Sequence, residues 1–410
     1  MSADIAEPEP QRPPEWPATL DVDALVEGGW RPRPFQQFLL KVHSRCNLAC
    51  DYCYVYTMAD QSWRSRPMVM PMSLVAVAAR RIAEHARAHG LTSVRIILHG
   101  GEPLLAGGRY LSEAVNAVRA VCAPDVRVEA AVQTNGVLLD EDVLRLFGEL
   151  DLRVGVSLDG GRRDNDRHRR YADGRGSHDA VAGALRLLMS PAHRRLYGGL
   201  LCTIDLDNDP VETYEELLAF EPPVIGFLLP HGTWSSPPPG RTADRTRTPY
   251  ADWLIQIFDR WYGAPRQETD VRLLREIIYL LLGRESASEA VGLTPSSLVV
   301  VETDGGIEQL DALKVVEQGA PATGMNIVDH SFDAVLRHPG IVARQLGRAA
   351  LSETCQSCDL ARVCGAGLYP HRYREGSGYL NPSVYCPDLY RLIQHIRTRL
   401  QLDLQRRRQG

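Results

Sequence analysis

The chain lacks any apolar run long enough to span a bilayer, which argues against a helical membrane protein and a membrane partner. It also lacks a positive surplus. Its 46 Lys and Arg stand against 51 Asp and Glu, a net charge of −5, whereas nucleic-acid-binding domains are as a rule basic. No apolar signal core opens the sequence. The first residues, MSADIAEPEPQRPPEWP, are acidic and proline-rich, a composition that predicts a disordered tail. Repeats of solenoid length are missing too. What remains is an ordinary globular composition, 44% hydrophobic and 24% charged over 410 residues, with room for two or three structural units. Nine cysteines without a secretory signal predict a cytoplasmic, reducing location, where clustered thiols bind metal more often than they pair.

The cysteines are unevenly placed. Cys46, Cys50 and Cys53 share the run CNLACDYC. Three thiolates on one loop can hold three irons of a [4Fe–4S] cube and leave the fourth open to a small molecule, whereas electron-transfer clusters are closed by four. Zinc is the alternative, with His43 as a fourth ligand. Cys355, Cys358, Cys364 and Cys386 form a second group, four thiolates suited to zinc or to a closed cluster. Cys122 and Cys202 stand alone among apolar residues and read as small core hydrophobes.

Short apolar runs alternate with helix-like segments up to about residue 230: strands are expected at 35–42, 93–100, 126–136, 152–160, 197–205 and 222–230, with helices between them. This is the pattern of βαβ units around a parallel sheet, and six strands suffice for an open, partial barrel. Beyond the stretch TWSSPPPGRT the pattern changes to two helices (about 249–263 and 270–283), a hairpin turning at Asp304-Gly305-Gly306, a cysteine-rich loop region and a last helix. The expected division is a tail at 1–30, the barrel at 31–240, a helical linker region at 241–295, a small α+β domain at 296–400 and a frayed basic tail at 401–410.

Strand-end loops are where parallel barrels place their sites. The cysteine loop follows strand one, Gly100-Gly101-Glu102-Pro103 follows strand two, Gln133-Thr134-Asn135-Gly136 ends strand three and Ser157-Leu158-Asp159-Gly160 ends strand four. In this order, over about 35–230, the motifs resemble the radical S-adenosylmethionine (SAM) superfamily. The resemblance implies that the open iron chelates SAM and that Gly100 to Pro103 form the loop bonding its amino group, through Gly101 and Glu102. Tyr52 would lie near the adenine. Gln133, Asn135, Ser157 and Asp159 would be further contacts at the strand ends. Arg169, in NDRHRRY, would bind the carboxylate, although Asn165 stands where the family pattern has His. The chemistry implied is hydrogen-atom abstraction by a 5′-deoxyadenosyl radical, with electrons from a low-potential reductant such as flavodoxin or ferredoxin.

The second cysteine group resembles a SPASM domain that has lost one of two auxiliary clusters, with Leu310 and Leu368 at positions where that pattern has Cys. One auxiliary [4Fe–4S] cluster, closed by protein, is therefore expected, and two clusters in all. Over about 30–400, the phrases GFLLPHGTWSSPPPG, VVVETDGGIEQLDALK and CGAGLYPHRYREGSGYLNPSVYCPDL resemble the FxsB-type peptide maturases that form cyclophanes. This narrower resemblance implies a ribosomal precursor peptide as partner and a C–C bond between an aromatic ring and a β-carbon. Asp311 matches a catalytic base of related SPASM enzymes, or else caps a turn. His371, Arg372 and Tyr373 are candidate channel residues without an assigned step. With only a short proline-rich tail read before the barrel, the precursor is expected to bind the barrel, the C-terminal domain or another chain and not a separate leader-recognition domain. Thioether, C–O or C–N cross-linking and epimerisation are alternatives within the superfamily, and a zinc-stapled peptide-binding protein is the alternative outside enzymes.

Overall fold

A computed structural model describes residues 15–409 except 243 and 245. Ten strands form one sheet: β1 (Gln37–His43), β2 (Ser93–Gly100), β3 (Arg127–Thr134), β4 (Arg153–Ser157), β5 (Tyr197–Thr203), β6 (Val224–Leu228), β7 (Asp270–Val271), β8 (Leu298–Val301), β9 (Gly306–Glu308) and β10 (Ala322–Asn326). Their order is β10-β9-β8-β1-β2-β3-β4-β5-β6-β7. Strands β1 to β6 run parallel, each beside its sequence neighbour. This is the partial (β/α)6 barrel read from the alternation.

Strand periodicity sorts the side chains. On β1, Phe38, Leu40 and Val42 are fully buried, and Phe38 packs 4.9 Å from the Phe332 ring. Lys41 and His43 take the alternate positions. The register sets Lys41 opposite His99 and Gln133 opposite Gly155. Polar residues therefore collect near one end of the barrel's inner face. The helix Met72–Ala88 buries Val75, Ala78, Ala79, Ile82, Ala83 and Ala86 against the outer face, an apolar stripe at helical spacing.

Beyond β6 the chain differs from its sequence reading in informative ways. Residues 270 and 271, read as helix, form the short β7 on β6 before the helix Arg272–Leu281 begins. The hairpin of β8 and β9 turns through Gly305, at φ +82°, as expected. It also joins the barrel, because β8 runs parallel to β1 with Leu40 opposite Val301. That pairing carries the segment after β9, with Asp311, alongside the strand that bears Lys41.

The region expected as a tail at 1–30 is ordered from residue 15 onward. Helix Val22–Glu27 is capped by Asp21, which accepts from Ala24 N at 2.9 Å. Trp16 lies 6.4 Å from the Tyr369 ring. Proline and acidic composition hid the DVDALVE helix signal. Residues 1–14 of that expectation lie outside the described residues. The basic tail expected to fray at 401–410 continues the final helix, Cys386–Gln409, and Gly410 lies outside the description. Among the described residues no helix is long and apolar enough to cross a membrane.

Candidate active site

The cysteine loop between β1 and residue 62 is folded by its own backbone: Cys53 N donates to Cys50 O at 3.2 Å and Thr57 N to Cys53 O at 2.9 Å. It is strapped to the loop after β2, since Gly101 N reaches His43 O at 2.8 Å and Glu102 N reaches Arg45 O at 3.0 Å. This approach requires glycine. A Cβ on Gly101 would stand 1.7 Å from the Tyr56 hydroxyl, and one on Gly100 2.2 Å from His43 O. A third strap, Ala49 N to Arg170 O at 2.7 Å, ties the loop to the segment after β4.

Burial pushes the Cys46 thiol up to about 12, with Glu102, Cys50 and Cys53 adding to the shift. Burial likewise pushes Cys50 up to about 11, against the pull of Arg169. Three free thiols thus share one site, with Cys50 and Cys53 opposing ionisation of Cys46, a donor set suited to three irons of a cluster. The second group is complete in space. Cys355, Cys358, Cys364 and Cys386 line a single cavity of about 60 Å³, walled by Leu360, Ala361 and Ala366. Burial pushes Cys364 up to about 12, with Cys386 and Cys355 contributing. Four sulfurs around one apolar cavity suit a closed cluster. Cys122 and Cys202 are core residues, 0% and 1% exposed.

The residues expected around SAM form three groups, two of which touch the cysteine loop, through Tyr52 and through Asn47. Tyr52 OH donates to Asp159 Oδ2, Arg169 Nη1 donates to Tyr52 OH at 2.9 Å, and Arg169 lies 3.9 Å from Asp159. Asp159 Oδ1 is anchored by Thr203 N at 2.8 Å. Gln133 Nε2 donates to Ser157 Oγ at 3.0 Å, an arrangement that Gly155 permits, since a Cβ there would meet Gln133 Oε1 at 2.4 Å. Asn135 Nδ2 reaches Asn47 Oδ1 at 2.8 Å and lies 3.7 Å from Cys46 Sγ. Asn165, the departure from the family pattern, is wholly buried. Its Oδ1 accepts from Asp159 N at 3.3 Å, and its carbonyl accepts from Arg169 N at 2.8 Å.

Glu102 behaves differently from its loop. Its carboxylate accepts from Thr134 Oγ1 at 2.6 Å, Asn135 N at 2.7 Å and Leu104 N at 2.9 Å, with no exposed surface. The side chain holds the ends of β2 and β3 together, while Pro103 starts the short 3-10 turn Pro103–Ala106.

Asp311 lies across the barrel mouth, 5% exposed. Its Oδ2 accepts from Lys41 Nζ and from Tyr54 OH, each at 2.5 Å. Oδ1 has no hydrogen-bond partner, and Lys314 Nζ stands 3.9 Å from it. Burial would push this carboxyl up, but Lys41 and Lys314 outweigh burial and hold it well below the usual carboxylate range. Burial lowers His99 and His231 to about 4 each, so both imidazoles are neutral near pH 7. His231 packs 4.9 Å from the Tyr54 ring and 5.9 Å from His371. His231 Nδ1 and His371 Nε2 are buried without partners.

The sequence reading missed Lys41, Tyr54 and Lys314. A lysine inside the apolar strand FLLKV was the available signal, since a buried lysine must be paired. Of the other channel candidates, Arg372 donates to Gly365 O at 2.6 Å and Gly367 O at 2.9 Å, bracing the loop after Cys364. The Tyr373 carbonyl accepts from Trp234 N at 2.9 Å.

Comparison with known proteins gives these groups a context. Residues 40–218 match the family model described as the Radical SAM superfamily. The cysteine-type anaerobic sulfatase-maturating enzyme of Clostridium novyi (strain NT) is 21% identical over 358 residues, covering 84% of this chain and 90% of that protein. The serine-type anaerobic sulfatase-maturating enzyme of Klebsiella aerogenes is 26% identical over 371 residues, covering 89% and 86%. Among solved structures, native anSMEcpe with bound AdoMet and Cp18Cys peptide shares the fold at a TM-score of 0.74 and 21% identity, covering 89% of this chain and 97% of that one.

Proposed function

We propose, on the match of residues 40–218 to the family model described as the Radical SAM superfamily, that the chain is a radical SAM maturase that oxidises a peptide substrate and joins an aromatic ring carbon to a β-carbon of a nearby residue. Its cofactors are SAM and two [4Fe–4S] clusters. Cys46, Cys50 and Cys53 hold the cluster with an open iron, and Cys355, Cys358, Cys364 and Cys386 close the auxiliary one. When bound, SAM and the open cluster supply a hydrogen-atom acceptor strong enough for an unactivated C–H bond.

The protein's own groups do the rest. Arg169, Tyr52 and Asp159 form a mutually bonded trio beside the cysteine loop, with Arg169 and Asp159 buried, and present charge to a zwitterionic ligand. Glu102 and the two glycines fix the loop that faces it. Asp311 carries the reading. Forming the cross-link removes two hydrogens from the peptide, one as an atom and one as a proton with an electron. The proton on an oxidised ring adduct is strongly acidic, so a weak base suffices if it is always ionised and close. Lys41, which leads into the cysteine loop, and Tyr54, which follows Cys53, hold Asp311 in that state. The auxiliary thiolates hold the group that takes the electron.

The relatives support a second reading. Cysteine- and serine-type sulfatase-maturating enzymes cover most of the chain, and oxidation of a Cys or Ser side chain needs the same atom abstraction, base and electron acceptor. Tandem mass spectrometry of peptide incubated with the reduced, cluster-loaded enzyme and SAM separates the two. A product lighter by two hydrogens and linked through carbon supports the cyclophane, whereas oxidation confined to a Cys or Ser supports the second.

A further inference from the structure

A cavity of about 410 Å³ lies where residues 15–18 meet segments of the C-terminal region. Aromatic rings wall it. Tyr369 and Tyr379 stack at 4.3 Å and 8°, Tyr373 stands 5.2 Å from Tyr379, and Trp16 closes one side. Its carboxylates are Glu15 and Glu317, and no lysine or arginine lines it among the described residues. Glu317 is exposed and makes no ion pair among the described residues.

Two segments that line the cavity also carry residues near the proposed catalytic site. Gln309 lines it, while Asp311, two residues on, bonds Lys41 and Tyr54. Tyr369 and Tyr373 line it, while His371 between them packs against His231. An occupant would press on the segments that carry Asp311 and His371.

Part of the lining comes from the chain's own first described residues. Glu15 to Ala18, of sequence EWPA, lies along the cavity as one of its walls. Glu15 Oε1 accepts from Gly376 N at 2.6 Å. The Trp16 carbonyl presses so close to Gly378 that a Cβ there would meet it at 2.0 Å. Aromatic-walled grooves of this kind take extended, proline-containing peptides, and acidic walls without a cation favour a basic one.

We propose that the cavity is a recognition site for an extended segment of the peptide substrate, outside the reacting residues, that carries a cationic side chain beside a proline or an aromatic ring. The proposal rests on the peptide-maturase reading and deepens it, assigning substrate recognition to the C-terminal domain. The ligand seats its ring or proline against Tyr379 and Trp16 and its cation beside Glu317.

Isothermal titration of the full-length, cluster-loaded protein tests it, with the synthetic peptides Lys-Pro-Trp-Pro-Lys and Glu-Pro-Trp-Pro-Glu as probes. The basic peptide should bind at least about tenfold more tightly than the acidic one at low salt. Glu317→Gln should weaken it about threefold, as for a part-exposed ion pair, and Tyr379→Ala about tenfold, as for a lost aromatic contact. Equal affinity for the two peptides, no binding of either, or full affinity in Glu317→Gln would overturn the proposal. Glu317 is exposed, so that variant keeps the test valid if Tyr379→Ala fails to fold. The titration needs no turnover. Failure of the maturase reading would show separately, as precursor peptides of unchanged mass.

Discussion

Replacing Lys41 by methionine should destabilise the protein in a pH-dependent way and silence Asp311. The two groups meet at 2.5 Å with side chains 3% and 6% exposed. Breaking a buried pair by removing one member costs about 3–5 kcal/mol, because the surviving charge is left uncompensated. The lower end applies, about 3 kcal/mol, since Tyr54 and the more distant Lys314 remain. In the wild type the Asp311 carboxyl lies below its ordinary value of 3.8. Its stabilising contribution is therefore fully present above that pH and lost only as pH falls through the depressed value. Without Lys41, burial is opposed less, the folded-state value rises, and the contribution is lost as pH climbs from the ordinary value through the raised one. The gap in Tm between wild type and Lys41→Met should thus widen from about pH 4 to about pH 7. Anaerobic scanning fluorimetry at several pH values measures it. The double variant Lys41→Met/Asp311→Leu should recover most of the loss, since replacing both members of a buried pair by apolar groups is often near neutral. A single variant costing under about 1 kcal/mol, or a double variant as unstable as the sum of the singles, would refute the pairing.

Replacing Cys46, Cys50 and Cys53 together by Ala should lower iron from about eight to about four atoms per chain, following ligand count; unchanged iron in anaerobically reconstituted protein would contradict the assignment. Asp311→Asn should slow cross-linked product more than 5′-deoxyadenosine release, because the base acts after abstraction, and parallel chromatography of both products checks this. Glu102→Gln should cost about 2 kcal/mol, since its amide cannot accept from all three donors now paired with the carboxylate, and should lower Tm and cluster retention together; a variant that loses only SAM affinity would show that the loop is held by other contacts. Glu308 sits in a buried cluster in which Lys314 meets Asp60, Glu302 and Glu308 within 3.5 Å and Arg66 meets Glu308 at 2.8 Å. Burial and Glu302 push it up to about 7, so its contribution should be lost as pH rises through that value, and Glu308→Gln should flatten the Tm profile between about pH 5 and 8.

Much of the barrel was legible because β1 to β6 and their helices follow local rules, alternating apolar runs and helical stripes. The cysteine loop and the strand-end motifs were legible for the same reason, since each sits on a few consecutive residues. The rest depends on distant pairing. That β8 joins β1, placing Asp311 against Lys41 and Tyr54, is set by a parallel ladder between residues 37–40 and 298–301, which no local pattern announces. Glu102 was legible as part of a loop motif, but the direction of its side chain depends on the register between β2 and β3. Helix Val22–Glu27 was hidden by the proline-rich residues before it, although Asp21 is an ordinary N-cap.

Oxidation of a peptide through carbon can be read by deuterium labelling. A precursor peptide labelled with deuterium at the β-carbon of the reacting residue is incubated with reduced enzyme and SAM, and both peptide and 5′-deoxyadenosine are weighed. Label should appear in 5′-deoxyadenosine, and the peptide should have lost one β-deuterium and one ring hydrogen, with fragments absent between the joined residues. A peptide of unchanged hydrogen count carrying one solvent-derived hydrogen at an α-carbon, or label retained in full at the β-carbon, would contradict it.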